Sequence, residues 1–198
     1  MARVIDTNLD EVFCTNFDSD ITFCSAAAIS RSGELVAFYV LNKYSVDPDE
    51  HAKSEVTNQV QIWNVDTSKL ITKINFDISI DKIGFTPDEN QLVINQEYAK
   101  GPTFYNIDTG EKVYHFEDEF QDDRLYHCYD WEFSHKQNWL AIGSRHTAIF
   151  DLKTKREITM PYHSTSPSGR TYKLLFSKDG KLLISGGDAG GILIRKLE

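Results

Sequence analysis

Four stretches of this chain obey one rule, and that rule constrains the fold more than any single motif. Each is an apolar run, a short polar break and a second apolar run: AAAISRSGELVAFYV (26–40), DKIGFTPDENQLVIN (81–95), YDWEFSHKQNWLAIG (129–143) and YKLLFSKDGKLLISG (172–186). Each is followed by a second segment of the same kind: VQIWNVDTSKLITKINF (60–76), PTFYNIDTGEKVYHF (102–116), HTAIFDLKTKREITM (146–160) and the shorter GGILIRKLE (190–198). Aligning Ile29, Phe85, Phe133 and Phe176 gives steps of 56, 48 and 43 residues, the first lengthened by an insertion near 42–58. A recurrence of this length is the signature of a repeat architecture, in which one supersecondary unit is copied along the chain.

The units are strands by pattern. Tyr129, Trp131 and Phe133 alternate with Asp130 and Glu132, a period of two that belongs to an extended chain. Helical spacing is not sustained anywhere. PDEN, KDG and DTG stand between the apolar runs, where Gly, Asp and Asn tolerate the backbone angles of a tight reversal. Each copy therefore reads as a four-stranded antiparallel meander. Adjacent apolar pairs such as Leu182–Leu183 and Trp139–Leu140 place grease on both faces of so small a sheet, so the sheets are expected to stack face to face.

FSKDGKLLISGGDAGGILIRKLE resembles the end of a WD-repeat, and IWNVDTSKLITKI, FYNIDTGEKVYHF and IFDLKTKREITM resemble its third and fourth strands with their turn. The resemblance covers nearly the whole chain. It implies an all-β fold, a β-propeller of four-stranded antiparallel blades around a channel, with blades at about 21–76, 80–117, 126–160 and 170–198 and a partial blade at 3–17. The Trp of the family's Trp-Asp pair is matched by Trp63 and replaced by Tyr105, Phe150 and Arg195; the Gly-His pair is absent, and the Asp of the second-to-third-strand turn is matched by Asp188 alone.

RVIDTNLDEVFCTNF (3–17) reads as a third-strand end, turn and fourth strand, the piece that the last copy lacks. Three geometries follow: a single ring closed by pairing of 11–17 with 191–197, a homodimer of eight blades, or association with further blades of a larger propeller. Terminal pairing would hide two sheet edges. Dimerisation would keep the usual angle between blades.

Composition narrows the function classes. The 198 residues suit one domain, a propeller or half-propeller. No apolar run approaches the roughly 20 residues of a membrane span, and MARVIDTNLDEV shows no signal-peptide core. Three cysteines without a CxxC pair fit a reducing, cytoplasmic setting. A net charge of −9 opposes binding to nucleic acid or anionic membrane.

The implied layout puts the long segments 42–58, 117–127 and 161–170 on one face, and decorated loops on a rigid scaffold are where binding resides. Asp49, Glu50 and His51 lie in the first, Asp122, Asp123, Arg124, Tyr126 and His127 in the second, and Arg170 closes the third. EDEFQDD (117–123) holds five carboxylates in seven residues, an acidic rim suited to a basic peptide or protein, though such runs also serve as solvated loops. Tyr126, His127 and Tyr129 beside Arg124 offer aromatic and arginine anchors. His115, His135 and His146 read as turn or strand-end residues. No G-x-S-x-G, H-E-x-x-H or Walker string occurs, and SGGDAGG (185–191) precedes a strand rather than a phosphate-binding helix. The expectation is a noncatalytic interaction scaffold without cofactor or metal. The alternatives are a propeller hydrolase or lyase using channel carboxylates, Asp130 and Glu132 first, or a structural piece of a larger ring. The ordinary role for Asp130 and Glu132 is pairing with Lys82 or Lys173 between blades.

Overall fold

The computed structural model describes residues 2–5, 8, 11–15, 21–42, 57–116, 127–158, 170–188 and 191–197. The described elements are seventeen strands: β1 (Ala2–Ile5), β2 (Glu11–Thr15), β3 (Ile21–Ile29), β4 (Leu35–Asn42), β5 (Thr57–Asn64), β6 (Lys69–Phe76), β7 (Ile80–Phe85), β8 (Gln91–Gln96), β9 (Thr103–Asn106), β10 (Lys112–His115), β11 (Asp130–Phe133), β12 (Trp139–Gly143), β13 (Thr147–Asp151), β14 (Arg156–Glu157), β15 (Thr171–Phe176), β16 (Leu182–Gly187) and β17 (Ile192–Lys196). They form five antiparallel meanders, β1-β2, β3-β4-β5-β6, β7-β8-β9-β10, β11-β12-β13-β14 and β15-β16-β17. The expected all-β architecture of small antiparallel sheets is present. Among the described residues, no helix is long and apolar enough to cross a membrane.

The repeat is written most plainly in the turns. After the first strand of each large sheet, the backbone N–H of Ser30, Thr86, Ser134 or Ser177 donates to the carbonyl five residues on, at Leu35, Gln91, Trp139 or Leu182, over 2.9–3.0 Å. In three of these turns the same hydroxyl residue reinforces the loop: Ser30, Thr86 and Ser177 Oγ atoms accept from the N–H of Leu35, Gln91 and Leu182. The third-to-fourth-strand turns are equally uniform. Asn64, Asn106 and Asp151 side-chain oxygens each accept backbone N–H groups two to three residues on, the Asx-turn that these residue types form. The residue four positions after each has positive φ: Ser68 (52°), Gly110 (71°) and Lys155 (54°).

The chain divides into two compact units, Met1–Glu97 with Tyr105–Lys112, and Tyr98–Phe104 with Val113–Glu198. In the first unit, β3–β6 is packed on both faces. One face receives the β1–β2 hairpin through Phe13, Ala2 and Val4, which meet Val36, Phe38, Val40, Val65 and Trp63. Phe13 lies 6.2 Å from the Phe38 ring and 6.0 Å from Trp63, centroid to centroid. The other face, with Tyr39, Val60, Ile62 and Ile74, meets Ile83, Leu92 and Ile94 of β7 and β8. Each buried aliphatic side chain contributes about 1.5–3 kcal/mol. At the turn tips, Glu89 takes a hydrogen bond from Ser32 Oγ at 2.6 Å, joining the β3–β4 and β7–β8 turns. The expected pairing of 11–17 with 191–197 is not among the ladders of the described residues: β2 pairs with β1, Val4 opposite Phe13. The local hairpin closes a short loop, which costs less chain entropy than a long one.

In the second unit, Phe104 packs edge-on against Phe133 at 6.4 Å and Phe116 against Phe150 at 4.8 Å. Ala141 and Ile149 of β12 and β13 then meet Leu174, Phe176 and Leu183 of β15 and β16. Asp130, 2% exposed, accepts the backbone N–H of Leu174 through Oδ2 at 2.9 Å. Beside the lysine pairing expected for it, Asp130 thus serves a strand N–H, a buried donor that must be satisfied.

Candidate partner-binding surface

The connections between strands leave from two opposite edges. At one, the residue that follows the third strand of a sheet meets the last residue of the first turn: Val65 N–H donates to the Glu34 carbonyl, Leu152 to Asn138 and Leu197 to Lys181. At the other edge of the second unit, Cys128 N–H donates to the Ala99 carbonyl, Tyr129 to Gly143 and Thr171 to Ser144, which brings these described residues to one side.

Here the structure assembles a ribbon of rings. Tyr98 meets His127 edge-on at 5.7 Å, His127 lies 6.0 Å from Tyr129, and Tyr129 meets Tyr172 edge-on at 5.0 Å. The Arg170 guanidinium carbon stands 5.9 Å from the Tyr129 ring centroid, and Nη1 donates to the Tyr172 hydroxyl oxygen at 3.4 Å. That hydrogen bond, with the charge interaction of the Tyr129 and Tyr172 phenol groups, raises the guanidinium pKa above its ordinary value. Cation–π contacts at exposed sites contribute about 0.5–1 kcal/mol. Tyr98 is 73% exposed and holds φ at 64°, a left-handed conformation that costs a non-glycine residue roughly 1–2 kcal/mol. Tyr129 and His127 are half-buried; Arg170 and Tyr172 are exposed.

The backbone behind the ribbon is fixed. Asp188 Oδ1 accepts the Arg170 N–H at 2.7 Å, and the Asp188 N–H returns a bond to the Arg170 carbonyl at 3.3 Å. A Cβ at Gly187 would overlap that carbonyl oxygen, whereas Gly186 and Gly191 face open space, so one glycine of the Gly-rich string before β17 has a steric reason. The string ends in a strand, as its pattern implied. Ser144 Oγ accepts the His127 N–H at 3.4 Å, and the buried Cys128 thiol points to the Asp130 carbonyl at 3.6 Å.

Of the candidate residues read from the sequence, His127 and Arg170 are brought into this one ribbon. Asp49, Glu50, His51, Asp122, Asp123, Arg124 and Tyr126 lie outside the described residues. Tyr98 and Tyr172 were not singled out by sequence reasoning. A signal existed for Tyr98, an aromatic in the polar loop EYAKG; Tyr172 reads as a core residue by alternation until its exposure is seen. His115 is half-buried, its Nδ1 2.8 Å from Thr103 Oγ1, and the His146 carbonyl closes the short β12–β13 turn. Among the described residues, no three His, Cys, Asp or Glu side chains are grouped to hold a metal ion. Against known proteins, the chain matches no family model and no curated sequence.

Proposed function

We propose that the chain is a WD-repeat-like β-propeller module, its four-stranded meanders acting as blades, and that it is a noncatalytic scaffold capturing a protein or basic peptide through the loop-decorated edge. One observation carries the reading: His127 and Arg170 stand in one partly exposed aromatic ribbon with Tyr98, Tyr129 and Tyr172. Tyrosine and arginine supply large contact area at small entropic cost and recur at interface hot spots. The chain's net charge of −9 would attract a basic partner. The absence of a catalytic role for Asp130 is supported by its commitment to the Leu174 N–H. An array of lysine- and arginine-rich peptides read by fluorescence anisotropy tests the proposal. The wild type is expected to bind a subset, and Tyr98→Ala with Tyr129→Ala, or Asp122→Lys with Asp123→Lys, to weaken that binding at least tenfold, the second pair removing most of its salt dependence. Unchanged affinity in both pairs, or no binding by the wild type, overturns it.

A further inference from the structure

The sheet β15–β17 is half covered. Its inward face carries Leu174, Phe176 and Leu183, packed against β12 and β13. The register places Leu175 opposite Ile184 and Ile184 opposite Ile194, with Gly186 opposite Ile192 and Leu182 opposite Lys196. The outward face is therefore an aliphatic patch of Leu175, Leu182, Ile184, Ile192 and Ile194. Leu175 is 55%, Ile194 60% and Ile192 78% exposed. Two lysines, Lys173 and Lys196, stand on the same face, both exposed. Contiguous apolar surface of this kind, rimmed by charge, marks an interaction site.

The β1–β2 hairpin has the matching surface. Its inward face holds Phe13, Val4 and Ala2 against β3–β6. Its outward side carries Arg3 paired to Glu11 at 3.1 Å, with exposed Ile5 and Val12. Charge decides which surfaces meet. Residues 1–20 hold one basic and five acidic side chains, while residues 170–198 hold six basic and three acidic ones. A β15–β17 face against its own copy would set lysine rim against lysine rim; against the sequence segment that holds the hairpin, acidic by composition, it meets opposite charge.

We infer that the outward face of β15–β17 is an interface for a second copy of this chain, seated on that copy's β1–β2 hairpin, head to tail. Such a contact is heterologous, with two different surfaces joined, and repeats between molecules the sheet-on-sheet packing seen within each unit. It does not rest on the peptide-binding proposal, whose residues lie elsewhere. Light scattering and sedimentation test it. The wild type is expected to show a mass above that of the 22.7 kDa chain, rising with concentration. Ile194→Lys, and separately Ile5→Lys with Glu11→Lys, are each expected to lower the association at least tenfold with unchanged circular dichroism, and an equimolar mixture of the two variants to re-associate, because each supplies the surface the other lost. Val12→Lys replaces the hairpin pair if that variant fails to fold. A wild type that stays at the mass of one chain up to several hundred micromolar overturns the inference. So does association that survives Ile194→Lys, survives the hairpin substitution, or fails to return on mixing.

Discussion

The sheets β3–β6 and β15–β17 are made from similar sequence and end in different situations. The first is wrapped by the Phe13 hairpin on one side and by β7–β8 on the other, and its central residues Val40, Val60 and Ile62 are fully buried. The second packs one face and presents aliphatic side chains on the other. Their fastenings differ too. Glu89 joins hairpin tips at the exposed end of the first pair of sheets, whereas Asp130 reaches between strands in a buried position. Apolar patterning on both faces thus states that a sheet needs two neighbours, and the fold decides which neighbour is supplied within each unit.

That contrast can be broken at its strongest point first. Phe13→Ala removes the ring that caps the covered sheet, and a loss of about 3–5 kcal/mol is expected in denaturant unfolding, with Trp63 fluorescence shifting because the two rings touch. A loss below about 1 kcal/mol would mean that the hairpin is not a true cover. Next, Asp130→Ala strands the Leu174 N–H and should cost about 2–3 kcal/mol, while Asp130→Asn keeps an acceptor and should cost clearly less. Equal losses in the two variants would show that charge, not hydrogen bonding, is what matters there. The smallest effect belongs to Glu89. The Ser32 hydroxyl and N–H hold its carboxylate below the ordinary glutamate value of 4.5. With the folded value depressed, this stabilisation is complete above pH 4.5 and is lost as the pH falls through the folded value. Glu89→Gln should cost of the order of 0.5 kcal/mol at neutral pH, allowing for solvent screening, and flatten part of the acid limb of the stability curve.

Much of the strand architecture was legible because its causes are local. Alternation at 129–133, the Asx residues Asn64, Asn106 and Asp151, and the Ser or Thr at each first turn act within a few residues of themselves. The β1–β2 hairpin was legible in the same way, since 3–17 reads as strand, turn and strand, whereas pairing between the two ends of the chain leaves no local signal. The bond that Asp130 accepts from the Leu174 N–H was not legible: the donor lies 44 positions away, and a backbone donor leaves no mark in a sequence. The ribbon was half legible. His127 and Arg170 border conspicuous loops, but Tyr98 joins them through a left-handed backbone residue in a neighbouring connector, a convergence visible only in three dimensions.

The uniform five-residue turns carry one more implication. Each of the four first turns places five residues between its two strands, although the steps from copy to copy are 56, 48 and 43 residues, so none of that difference falls in these turns. Within each sheet the first turn therefore keeps time while the rest of the copy is free to lengthen, and chain can be inserted or trimmed outside that turn without shifting the register of the first two strands.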